Sequence, residues 1–169
     1  GTLNYAYSWT NISTSTALGT GTTYTVRSSA VSPTDIIQCT VDVTDSNGGS
    51  TTSNVTVELS NTPPTVTSVS VTSSESSGKA YNTSTLTCTG TASDPDGGSP
   101  TLNYAWTNGT TAIGTGGTIT LSGTVAEPSD VITCTVTAVD AAGGTGTGND
   151  SITLDNRLPT ISGMNITPT

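Results

Sequence analysis

The chain has 169 residues, a formal net charge of −9 and only three basic side chains, Arg27, Lys79 and Arg157. A nucleic-acid or anionic-membrane partner needs a basic stripe, and a membrane-spanning helix needs roughly 18–20 consecutive apolar residues; the sequence offers neither. Hydrophobic residues make up 31% and there is no Phe, while 40 Thr and 23 Ser supply over a third of the chain, so the core is thin and depends on a covalent staple or on neighbours.

Taken in chain order, Leu3, Tyr5, Tyr7 and Trp9 share one face of a first strand. Ile37, Cys39, Val41 and Val43 line a second, and Val55, Val57 and Leu59 a third. Residues 65–72 read as an edge strand in which Val66 is out of phase with Val69 and Val71. Over 85–92, Leu86, Cys88, Gly90 and Ala92 alternate with threonines, the period of a half-buried strand. Asp94-Pro95-Asp96-Gly97-Gly98 is a turn by composition. Leu102, Tyr104 and Trp106 then share a face, followed by a turn at Asn108-Gly109. Short strands are predicted at 111–114 and 118–122, and Ile132, Cys134, Val136 and Ala138 line a long one. Gly143-Gly144 turns the chain, and Ile152 with Leu154 closes the series. No helical period occurs, and the class is all-β.

Much of this pattern is written twice. TLNYA at 2–6 returns at 101–105, 99 residues on. Asp35-Ile-Ile-Gln-Cys39 returns as Asp130-Val-Ile-Thr-Cys134, and Asn61-Thr-Pro-Pro as Asn156-Arg-Leu-Pro, each 95 residues on. A period near 95 is too long for a solenoid turn and suits a small sandwich domain in tandem. Residues 1–61 are expected to form a partial sandwich entered at its third strand, and 62–156 a complete one. Residues 157–169 match the first strand of a following repeat. Trp9 and Trp106 are 97 apart rather than 99, so two residues are inserted before Trp9. Two is the strand period, and the insertion leaves Trp9 facing the same way.

The order Cys88, Trp106, Cys134 on the second, third and sixth strands resembles the immunoglobulin-like β-sandwich. The resemblance implies a Cys88–Cys134 disulfide between the sheets with the Trp packed on it; a pair of buried free thiols is the alternative. Three Cys and no His do not furnish a tetrahedral zinc set. Cys39 occupies the position of Cys134 in the first repeat, and its partner is expected outside this segment, in a longer array. With the Asn-Thr-Pro-Pro opening and the Asp-Pro-Asp-Gly loop, the chain looks like tandem immunoglobulin-like repeats of microbial surface proteins. It is also similar to polycystic-kidney-disease-type and cadherin-like modules. Trp106 is followed by Thr107-Asn108-Gly109 rather than the Asp-Phe-Gly-Asp-Gly of polycystic-kidney-disease modules, and Ile132 stands where animal immunoglobulin domains place a tyrosine.

The side-chain inventory bears on three chemistries. With no His and one Lys, a Ser or Cys nucleophile lacks its usual base, and a non-catalytic chain is expected. In the implied sandwich, the second–third and sixth–seventh strand loops emerge at one end, so Asp94, Asp96 and Asp140 are expected to converge near Glu58 and Asn61. Such hard oxygen donors suit calcium, the one candidate cofactor; solvated Asx turns are the competing reading. Six Asn-X-Ser/Thr triplets, at Asn11, Asn54, Asn82, Asn108, Asn149 and Asn165, are candidate glycan acceptors. Asn11 and Asn108 follow the two Trp residues, and Asn54 and Asn149 occupy equivalent places in the last strands.

The resemblance implies an extracellular or cell-surface structural role: a fibre, filament or adhesin stalk joined head-to-tail to other copies or flanking repeats, with covalent glycans as an option. The alternatives are a carbohydrate- or ligand-binding accessory module of a secreted enzyme, and a phage structural protein. Donation of residues 157–169 to the open sandwich of a neighbouring molecule is a further expectation.

Overall fold

The computed structural model describes residues 1–165, all of its regular structure being β. The chain divides into two compact units. The first comprises Gly1–Pro64 with two later loops, Ser93–Pro100 and Asp140–Thr145; the second comprises Thr65–Ala92, Thr101–Val139 and the residues from Gly146 onward. Those two loops, expected within 62–156, thus group with the first unit.

The second unit holds β5 (Thr65–Ser73), β6 (Thr85–Ser93), β7 (Thr101–Asn108), β8 (Thr111–Thr115), β9 (Thr118–Thr120), β10 (Val131–Val139) and β11 (Thr145–Thr153). A three-stranded sheet, β5-β6-β9, faces a four-stranded sheet, β11-β10-β7-β8. Period-two alternation gives each sheet one apolar face, and the two faces meet. Leu86 and Cys88 from β6 and Leu121 after β9 pack with Trp106 from β7, Ile132, Cys134 and Val136 from β10, and Leu154 beyond β11. The Cys88–Cys134 disulfide crosses between the sheets with a sequence separation of 46. Trp106 is the direct ladder partner of Cys134, so the largest buried side chain lies beside the staple. The immunoglobulin-like β-sandwich read from the sequence is the fold observed.

The first unit contains one sheet, ordered β2-β1-β3-β4, built from β1 (Leu3–Asn11), β2 (Thr16–Thr20), β3 (Ile36–Asp45) and β4 (Ser50–Glu58). These strands are the counterparts of β8, β7, β10 and β11. Trp9 pairs with Cys39 as Trp106 pairs with Cys134, and Tyr7 with Val41 as Tyr104 with Val136. A register shift follows each Trp, between Trp9 and Thr10 and between Trp106 and Thr107. The ladder therefore aligns the strands at an offset of 97 along their paired length. The TLNYA match at 99 is one strand period out of register, and Tyr5, not Leu3, is the counterpart of Leu102. Pairing follows the Trp–Cys neighbours and the turn that succeeds them, which outweigh five identical residues at a strand mouth.

Two fixed features recur beside this ladder. Each indole donates from Nε1 to a glycine carbonyl, Trp9 to Gly21 at 2.9 Å and Trp106 to Gly116 at 2.8 Å. Both glycines have positive φ, 112° and 90°, a conformation that presents the carbonyl to the ring and would strain a residue with a side chain. Thr34 and Ser129 also lie at equivalent places with φ of 70° and 76°. Each costs about 1–2 kcal/mol relative to the right-handed region. Their N–H groups donate to Leu59 O and Leu154 O, both at 2.8 Å, which ties the entry of the long strand to the end of the last.

Residues 154–165 carry no strand, and 166–169 lie outside the described residues. The strand matched at 157–169 is thus not formed over its described part, because an isolated segment has no neighbour for its backbone N–H and C=O groups. Arg157 instead packs on the second unit, donating to Glu75 Oε1 at 2.8 Å, with its guanidinium 4.3 Å from the Tyr81 ring centroid.

Removing the staple should weaken the second unit. In the loop-entropy account a 46-residue closure contributes about 4 kcal/mol. The Cys88→Ala/Cys134→Ala variant is expected to unfold at a clearly lower urea concentration, followed by Trp fluorescence; an unchanged midpoint would remove the disulfide from the stability account.

Candidate functional site

The acidic loops were the first expected site, and all five residues belong to the first unit. Asn61 Nδ2 donates to Asp140 Oδ2 at 3.0 Å. Asp140 Oδ1 accepts from the N–H groups of Ala142 at 2.9 Å and Gly144 at 2.8 Å. Asp96 Oδ2 accepts from the Thr62 N–H, and Asp94 Oδ1 accepts from the Asp96 N–H at 2.9 Å. Glu58 ends β4, is exposed and joins none of these bonds. Among the described residues, no three His, Cys, Asp or Glu side chains group closely enough to hold a metal ion. The loops bring Asn61 to Asp140 and Thr62 to Asp96, and backbone N–H groups bond one oxygen of each of Asp94, Asp96 and Asp140. The Asn61 Oδ1 atom is buried without a hydrogen-bond partner.

Asp45 shows that this bracing is a property of the repeat. Its Oδ1 accepts from Asn47 N and Gly49 N, both at 2.8 Å, as Asp140 does from Ala142 and Gly144. A short carboxylate two and four residues before these N–H groups closes an Asx-type turn.

The Asn residues that follow each Trp are structural as well. Asn11 is 1% exposed. Its Nδ2 donates to Asp35 Oδ2 at 2.6 Å, and its Oδ1 accepts from Ser13 N and Thr14 N. Asn108 Nδ2 donates to Asp130 Oδ2 at 2.6 Å and to Val125 O at 3.1 Å. Asp35 and Asp130 each take a further bond, from Ser32 N and Glu127 N, both at 2.8 Å. Each pair clasps the end of the Trp strand to the start of the Cys strand. The amide nitrogens of Asn11 and Asn108 are thereby engaged, which sets these two apart from the other triplets as glycan acceptors. Asn54, Asn149 and Asn165 are exposed and Asn82 is half-buried. The sequence signal for each clasp is the Asp 24 or 22 residues after the Asn.

No binding cleft stands out among these residues. A hollow of about 430 Å³ in the first unit is lined by Ser28, Val31, Pro33, Asp96, Gly98 and Ala142 among others. It offers one carboxylate and no aromatic platform, a poor set for orienting a small ligand. Apolar surface is exposed instead on the face of the β2-β1-β3-β4 sheet, where Tyr5, Val55 and Val57 are 57%, 67% and 56% exposed. In the second unit the corresponding face is the core.

Neither a protein-family model nor a curated protein sequence matches the chain. Among solved structures, it is similar to the three N-terminal domains of the bacteriophage RB49 highly immunogenic outer capsid protein (Hoc). The TM-score is 0.38 at 19% identity, covering 90% of this chain and 48% of that one, so the chain spans about half the length of that structure.

Two of the braces leave an electrostatic signature. The Glu127 N–H and the Asn108 amide hold the Asp130 carboxyl below its ordinary value of 3.8. The Asn61 amide does the same for Asp140, against the opposing effect of burial and with help from the Gly144, Ala142 and Gly143 N–H groups. A carboxyl lowered in the folded state contributes stability above its unfolded value, and the contribution vanishes as pH falls through the lowered one. Stability should therefore be level from about pH 8 to pH 5 and decline below about pH 4. The Asp130→Asn/Asp140→Asn variant should show a shallower decline in urea midpoint against pH; parallel profiles would show that these carboxyls do not set acid stability.

Proposed function

We propose that the chain is a non-catalytic structural repeat segment of an extracellular fibre, filament or adhesin stalk, joined head-to-tail to repeats of its own kind. The observation that carries this reading is the recurrence of the internal braces. The Trp–Gly bond, the Asn–Asp clasp, the left-handed Thr34 and Ser129 and the Asp45 and Asp140 turns all repeat at offsets of 95 or 97. What the repeats hold in common is scaffolding, as expected where the unit itself is the product.

Other features support the same reading. A cross-sheet disulfide suits an oxidising, extracellular setting, whether a cell or a virion surface. Pro63-Pro64 between the repeats limits the freedom of the link. The acidic surface favours solubility of a long polymer. Glycans, where the source attaches them, belong on Asn54, Asn82, Asn149 and Asn165, since Asn11 and Asn108 are engaged.

Electron microscopy of the native particle tests the fibre. Nine-residue strands at about 3.3 Å each, with their loops, give beads spaced by roughly 30–45 Å. Linear arrays with that spacing are expected; short isolated multidomain particles would favour an accessory binding module instead. Peptide mapping of the same material should find any N-linked sugar outside Asn11 and Asn108.

A further inference from the structure

The turn after β3 and the turn after β10 are built alike but differ at one reactive position. Asp45 Oδ1 accepts from Asn47 N and Gly49 N, and Asp140 Oδ1 from Ala142 N and Gly144 N. Gly48 and Gly143 both have φ of 89°. Asn47 therefore stands where the other turn has Ala142, and the turn does not need its amide. Of eleven asparagines, Asn47 and Asn108 precede a glycine, and the other nine precede larger residues. A glycine leaves the preceding carboxamide open to its own backbone nitrogen, because no Cβ crowds the approach.

We infer that Asn47 is a site of spontaneous deamidation, with water as the co-reactant, and that the fold shields Asn108 from the same reaction. The Gly48 nitrogen attacks Asn47 Cγ. The N–Cγ bond forms, the Cγ–Nδ2 bond breaks, and ammonia leaves with the proton lost by the Gly48 N–H. Water then opens the five-membered imide at either carbonyl, which gives aspartate or isoaspartate. Nucleophile and electrophile are held in one short segment, so no enzyme is needed to bring them together.

Both sites carry the dipeptide, and their surroundings separate them. Asn47 is exposed, and its side chain has no hydrogen-bond partner among the described residues. The Gly48 N–H donates to Asp45 O at 3.3 Å, longer than an ordinary bond of this kind, and a Cβ built at Gly48 would meet nothing within 4 Å. Asn108 is half-buried at the end of β7. Its Nδ2 donates to Asp130 Oδ2 at 2.6 Å and to Val125 O at 3.1 Å, so the leaving amide is tied down and Cγ is fixed in place. Freeing it breaks a bond to a charged group, which slows the reaction by about tenfold or more. Conversion at Asn47 adds a negative charge two residues from Asp45, in a chain already at −9. Isoaspartate also lengthens the backbone between positions 47 and 48. Both changes loosen the turn that joins β3 to β4, whereas Ala142 leaves the turn after β10 inert. The chemistry needs only the turn and water, and holds whether or not the protein forms a fibre.

The test ages the full chain in mildly alkaline buffer, folded and in parallel in urea. Peptide mapping follows both sites, and enzymatic methylation of isoaspartate gives a second readout. In the folded chain Asn47 is expected to convert about tenfold faster than Asn108 or more, and in urea the two rates converge. Asn47→Ala should abolish the early ammonia release and the isoaspartate signal and keep the fold, as Ala142 does in the equivalent turn. Equal rates at Asn47 and Asn108 in the folded chain would overturn the inference, as would earlier conversion at any other asparagine. A gap that persists in urea would also overturn it, by placing the difference in local sequence rather than in the clasp. The Gly49 N–H should exchange faster in aged than in fresh protein; unchanged exchange would overturn the loosening of the turn.

Discussion

The pairing of a Trp with a half-cystine on adjacent strands is the contact on which the sandwich depends. A chain with 31% hydrophobic residues and no Phe cannot fill a deep core by volume alone. Trp106 supplies the largest buried body at the centre of the four-stranded sheet, and Cys134 beside it reaches across to Cys88 on the opposing sheet. The indole fills space while the disulfide restricts the unfolded chain. Around this centre, threonine faces need only be compatible with strands and water, which permits so polar a composition.

Polar braces then fix the ends of the strands. In each unit an Asn after the Trp strand clasps the Asp that opens the Cys strand, and a glycine with positive φ offers its carbonyl to the indole. Both braces hold the Trp strand against its neighbours and so keep the ring opposite the cysteine. Their presence in the first unit, whose apolar face is uncovered, shows that the β2-β1-β3-β4 sheet carries its own framework. What it lacks is the second layer, and Tyr5, Val55 and Val57 stand exposed for that reason.

Strand periodicity, the repeat and the cysteine–tryptophan order were legible in the sequence because each is a local or spacing property. The seven strands of the second unit follow from the periodicity, and the Cys88–Cys134 bond is what the resemblance carried by the cysteine–tryptophan order implies. Other features depend on what a side chain finds in space. Asp94, Asp96 and Asp140 read from composition as hard oxygen donors, and only the fold shows that backbone N–H groups within their own loops, and of Thr62, bond them. Asn11 sits in a glycan acceptor triplet, yet its amide is spent on Asp35. Residues 23–26 have the sequence of β9 but not its structure, since a strand is defined by its neighbour. The TLNYA identity misled by one strand period, because identity carries no information about ladder register.

Hydrogen exchange at the two indole Nε1–H groups, read by nuclear magnetic resonance on the intact chain, tests most directly that the units are one design, covered in one case and open in the other. Both indoles donate to a glycine carbonyl, so hydrogen bonding alone does not separate them. The account predicts that Trp106 exchanges only through global unfolding of its sandwich, and Trp9 faster by orders of magnitude through local opening. Equal protection of the two indoles would contradict it.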